Sequence, residues 1–139
     1  EKQPWTETTW RQSLRGAGFR NLALSWRMEI MKLGSRVLID FYKVKTMDDF
    51  YDPLSEKLGF PEYFGRNGDA LIDCLFSLRY PQDEMTSIHV NSEEYLLLEL
   101  RGFSSVEQKI RDTLVTSIEF VSKKCKEKGQ APSIVLLSN

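Results

Sequence analysis

Asp69 and Asp73 stand four positions apart in the stretch Gly68-Asp-Ala-Leu-Ile-Asp-Cys-Leu75, where the apolar residues recur at helical spacing. On an α-helix, positions i and i+4 share one face, so both carboxylates point the same way. Such a pair suits two kinds of chemistry. Two carboxylates in unequal environments can divide the acid and base roles of a hydrolase, as in glycoside cleavage. Alternatively, the pair can offer an anionic surface that accepts charge-assisted hydrogen bonds from arginine or lysine. The rest of the chain favours the second. Its single histidine, His89, stands alone in a stretch with no catalytic signature, and there is no nucleophile elbow, phosphate-binding glycine loop or metal-ligand cluster. Cys74 and Cys125 fall in helical stretches without a CxxC spacing, which reads as buried free thiols. No catalytic residue, metal or cofactor is therefore expected.

The elements that must position these carboxylates follow from periodicity. Arg36 to Tyr42 (RVLIDFY) is nearly continuous in apolar, β-branched and aromatic residues, the pattern of a central parallel strand covered on both faces. Thr46-Met-Asp-Asp49 opens a helix with a capping box and acidic residues at its positive end. That helix should run to Leu58, with Pro53 imposing a kink or a late start. The run from Phe60 to Asn67 holds proline and glycine and ends in an N-cap asparagine. A second helix then spans Gly68 to about Leu78, burying Leu71, Leu75 and Leu78 with support from Ala70 and Cys74. Further on, a short strand is expected at Ser87 to Val90 and a buried strand at Tyr95 to Leu100. A long helix follows, capped by Ser104 or Ser105, with Val106, Ile110, Leu114, Ile118, Val121 and Cys125 on its apolar side. Lys123, Lys124, Lys126 and Lys128 gather before Gly129 as the solvated, dipole-complementing end of that helix. Ser133 to Leu137 closes the chain as an apolar strand. Strands separated by helices predict an α/β fold, a small parallel three-stranded sheet packed with helices.

With 139 residues, 41% hydrophobic and 28% charged, the chain has enough apolar material for one globular core. No apolar run reaches the roughly 18 to 20 residues of a membrane span, and no secretory leader is recognisable, which points to a cytoplasmic protein. The net charge of −1 conceals an asymmetry. Residues 1–35 carry six basic and three acidic side chains, leaving the remainder acidic at −4. An acidic body suits a basic protein partner and argues against phosphate binding. Residues 1–35 form an extension, or a fused upstream segment, of uncertain structure. In it Trp5, Trp10 and Leu14 suit a short helix, while Leu22, Leu24, Trp26, Met28 and Ile30 alternate as in an extra hairpin. Basic residues interleaved with tryptophans also suit single-stranded nucleic acid, although tryptophans at such spacing more often serve packing.

The run Pro61-Glu-Tyr-Phe-Gly-Arg-Asn-Gly-Asp-Ala-Leu-Ile-Asp-Cys-Leu75 resembles the loop and second helix of the barstar family, with the proline, acidic residue, aromatics, glycine, asparagine and DALxDCL pattern in the same order. The resemblance covers residues 36–139 and implies a barstar-like inhibitor domain that plugs the active site of a ribonuclease. It assigns Asp73 to the phosphate-binding position of the enzyme and Asp69 to the neighbouring contact. Tyr63 becomes an aromatic anchor, with Gly65, Asn67, Gly68 and Ile72 at the contact edge. The implied partner is a cognate RNase toxin bound one-to-one, which makes the chain an immunity or antitoxin protein. Three residues depart from the family pattern. Ile72 replaces a tryptophan, Arg66 an acidic residue, and Lys124 a further contacting glutamate, which together imply a different cognate enzyme. A module of the same fold serving another basic partner is the alternative, because fold does not fix function.

Overall fold

The computed structural model describes residues 31–138. The chain runs through β1 (Lys32–Asp40), α1 (Met47–Leu58), α2 (Gly68–Phe76), β2 (Glu94–Arg101), α3 (Gln108–Glu127) and β3 (Ile134–Ser138), with short 3-10 turns at Ser77–Arg79, Pro81–Asp83 and Phe103–Ser105. The three strands form one parallel sheet in the order β1-β2-β3. The α/β class and the parallel three-stranded sheet are therefore as expected. The readings of Trp5 to Ile30 as a helix or hairpin lie outside the described residues.

The position of β1 differs from expectation. It is an edge strand, and β2 is the central one. Val37 and Ile39 are buried, whereas Arg36, Leu38 and Asp40 between them are exposed. The apolar run was read as covered on both faces because Leu38 adds a hydrophobe to the outward set. Among the described residues, the helices cover one face only. On the other, the register lines up Leu38, Glu99 and Leu137, and Arg36 pairs with Glu99.

Helix α1 begins where its capping box places it. Thr46 Oγ1 accepts from the Asp49 amide at 3.0 Å, and the Asp49 carboxylate accepts from the Thr46 amide at 3.1 Å. The helix passes through Pro53 without a late start, because Phe50, Tyr51, Leu54 and Leu58 bury one continuous stripe. It ends at Gly59, whose φ of +68° and tight approach to Ser87 both exclude a side chain. Helix α2 turns into 3-10 geometry at Ser77, two residues before its expected end.

Two further expectations are corrected. Ser87 to Val90 forms no strand; its amides are taken by helix ends, Ser87 donating to the Leu58 carbonyl at 2.9 Å and Val90 to that of Leu78 at 3.0 Å. Nor do Ser104 and Ser105 cap α3. They lie in a separate 3-10 turn where Ser105 Oγ donates back to the Gly102 carbonyl, and α3 starts beyond Glu107 without a side-chain cap. At its far end Gly129 and Gln130 donate to the carbonyls of Lys126 and Cys125, the paired bonds of a Schellman termination. Its apolar side, Ile110, Leu114, Ile118, Val121 and Cys125, is buried. Among the described residues, no helix is long and apolar enough to cross a membrane.

Candidate functional site

Helix α2 and the loop before it carry the expected site residues. The loop is seated by aromatic packing, since Phe60 and Phe64 lie 4.8 Å apart between ring centroids and Phe64 meets Tyr51 edge-on at 5.6 Å. Arg66 locks its outer side. In the left-handed region at φ +52°, it sends its guanidinium to Asp48 Oδ1 at 3.0 Å and Asp52 Oδ1 at 2.9 Å on α1, above the Tyr51 ring. Those bonds raise the guanidinium pKa further. Arg66 was expected only as a departure from an acidic pattern; folded, it is the strut between loop and α1. Its partners are 14 and 18 residues away, a pairing that local spacing does not signal.

Asn67 starts α2 as expected. Its side-chain oxygen accepts from the Ala70 amide at 2.8 Å, while its amide nitrogen reaches the Gly65 carbonyl at 3.3 Å. A Cβ on Gly65 would press on Asn67 and Ala70, so a glycine lets the loop close against the cap. Around Gly68 the space is open. The helix buries Leu71, Cys74 and Leu75 and leaves Asp69 and Asp73 exposed, with Ile72 half-buried between them. Among the described residues, neither carboxylate has an ion-pair or side-chain hydrogen-bond partner. Tyr63 is 73% exposed, a large phenol standing free on the loop.

These residues divide between two hollows on either side of α2. Tyr63, Gly65 and Asp73 border a small cleft of about 180 Å³ with Pro61, Phe64 and Met85. Gly68, Asp69 and Ile72 border a groove of about 620 Å³ shared with α3, whose far wall includes Lys109, Asp112 and Phe120. The ridge between the hollows is the exposed strip of α2. An acidic ridge of this kind can enter a cationic cleft, and the larger hollow beside it is an open groove rather than an enclosed cavity. Sequence reading did not find the α3 wall of this groove, because Phe120, at 49% exposure, sits off the apolar stripe that defined the helix.

His89 is exposed in the irregular segment before β2. Cys74 is buried, with its thiol pushed up to about 11 by desolvation and by Asp73. Among the described residues, no group of three or more histidine, cysteine or acidic side chains could hold a metal ion.

What these elements present is a small parallel α/β domain whose acidic ridge has no ion-pair partner among the described residues. Residues 35–136 match the family model described as Barstar (barnase inhibitor), and the chain belongs to that family. It is also similar to YrdF of Bacillus subtilis (strain 168), a protein named as a candidate ribonuclease inhibitor, with 45% identity over 40 residues. That match covers 29% of this chain and 44% of the relative's length.

Proposed function

We propose that this protein is a ribonuclease inhibitor, acting in the cytoplasm as the immunity or antitoxin partner of an RNase toxin. It inserts the α2 ridge into the enzyme's active site, one inhibitor per enzyme, and contributes no catalysis. The observation that carries this reading is the state of Asp69 and Asp73, two exposed carboxylates without ion-pair partners among the described residues, on a capped helix in a barstar-family chain. An RNA-cleaving site must bind phosphate and is therefore cationic; carboxylates placed there exchange water for charge-assisted hydrogen bonds. Tyr63 adds an aromatic anchor of large area and low rotamer cost. Gly68 lets the enzyme approach the start of the helix, and Gly65 and Asn67 hold the loop in place beside it.

The test is inhibition and direct binding against two kinds of enzyme, barnase and the source organism's own ribonucleases, with wild type and Asp73→Ala. Removing one member of a pair that becomes buried leaves an uncompensated cation, a loss of about 3–5 kcal/mol. Affinity should therefore fall on the order of a hundredfold or more. Unchanged affinity in Asp73→Ala would refute the ridge mechanism, and failure to bind either kind of enzyme would refute the function.

A further inference from the structure

The lysines at the end of α3 do more than complement a helix dipole. Lys124 Nζ lies 4.7 Å from the centre of the Phe76 ring, and Lys128 Nζ lies 5.7 Å from Phe76 and 5.4 Å from Tyr80. Phe76 and Tyr80 themselves pack at 5.2 Å. Both lysines thus lean across from α3 onto an aromatic step at the end of α2. Phe76 follows Asp73 by three residues, so it continues the exposed strip one turn further along the helix. Among the described residues, neither ammonium is in an ion pair.

We infer that the joined ends of α2 and α3 form a cationic contact pole that takes a carboxylate of the partner protein, opposite in sign to the ridge beside it. The inference rests on the proposed inhibitor function and adds to it a specificity determinant. A lysine seated on a ring has already lost much of its rotamer freedom, so less is lost when it forms a new bond. Its outward N–H groups remain available, and a carboxylate is the complementary acceptor. A nucleic-acid strand fits the patch poorly. The ammonium groups lie over the ring faces that bases would stack on, and Asp73 one turn away repels a phosphate backbone. The partner surface is therefore mixed, cationic against Asp69 and Asp73 and anionic against Lys124 and Lys128. Like charges at either pole would reject a uniformly basic enzyme rim.

The experiment compares wild type, Lys124→Glu/Lys128→Glu and Asp73→Ala as full chains, with unfolding melts as the control for folding. Association and dissociation rates are measured against whichever of barnase and the source organism's own ribonucleases wild type binds best, and binding of a single-stranded RNA oligonucleotide is measured in parallel. The lysine reversal is expected to weaken enzyme binding about tenfold, mainly through faster dissociation. Affinity within twofold of wild type, or a change confined to the association rate, would overturn the contact pole while leaving the ridge intact. RNA bound by wild type and released by the reversal would overturn it in favour of phosphate. Loss in the lysine variant with none in Asp73→Ala would instead sink the ridge and keep the pole. Should none of these enzymes bind any variant, wild type included, both readings fall.

Discussion

Asp69 and Asp73 differ from several other acids of the fold, which are engaged. Asp48 and Asp52 are consumed by Arg66, Asp49 by the cap of α1, and Glu99 by Arg36. Among the described residues, some acidic side chains thus hold the fold, while Asp69 and Asp73 have no ion pair. Cys74, directly behind Asp73, shows the opposite extreme. Burial and the adjacent carboxylate move its thiol from an ordinary 9.0 to about 11. Since only the thiolate reacts, iodoacetamide at pH 8 should label Cys74 far more slowly in native protein than in urea-unfolded protein. Equal rates would show that the thiol is accessible. The sign for stability follows from the same shift: the contribution is whole below the unfolded thiol's pKa and is lost as pH rises through 9 toward 11.

At the scale of elements, the site depends on how α2 starts. Ala70 receives its amide partner from Asn67, and the same side chain ties back to Gly65. Replacing Asn67 with alanine should cost about 1 kcal/mol. In a domain of this size that lowers the melting temperature by roughly 5 °C, and Asn67→Asp should largely restore it. A melt unchanged in Asn67→Ala would show that loop packing alone fixes the helix start. The loop has a second support in Arg66, whose two carboxylate partners on α1 hold it from outside. Arg79 plays a similar part inside the fold. Its guanidinium donates to the carbonyls of Asn91, Glu94 and Ala131, tying the approaches to β2 and β3 to the end of α2.

Over the whole molecule, residues 36–139 carry a charge of −4, to which the exposed Asp69 and Asp73 of the proposed ridge contribute two. A field of that sign accelerates encounter with a cationic enzyme and is screened by salt. Raising ionic strength from about 0.05 M to about 0.5 M should slow association on the order of tenfold while dissociation changes much less. Salt-independent association would mean that the acidic ridge does not steer the encounter.

Local sequence determined the elements and the ridge. Periodicity placed α1, α2, α3 and the three strands, the box at Thr46 and Asp49 marked one helix start, Asn67 marked another, and the i, i+4 spacing put Asp69 and Asp73 on one face. These features are local, because caps and periods act over three or four residues. Tertiary structure decided what depends on distant partners. Only packing shows that β2 is central and β1 an edge, since an apolar run does not record which strands flank it. Only packing takes the amides of Ser87 and Val90 out of a strand and into helix ends, or brings Arg66 to Asp48 and Asp52. The same holds for the ridge. Its spacing could be read along the chain, but the lysines seated beside it exist only once α3 has packed against α2, and that its carboxylates are unpaired among the described residues appears only in the folded chain.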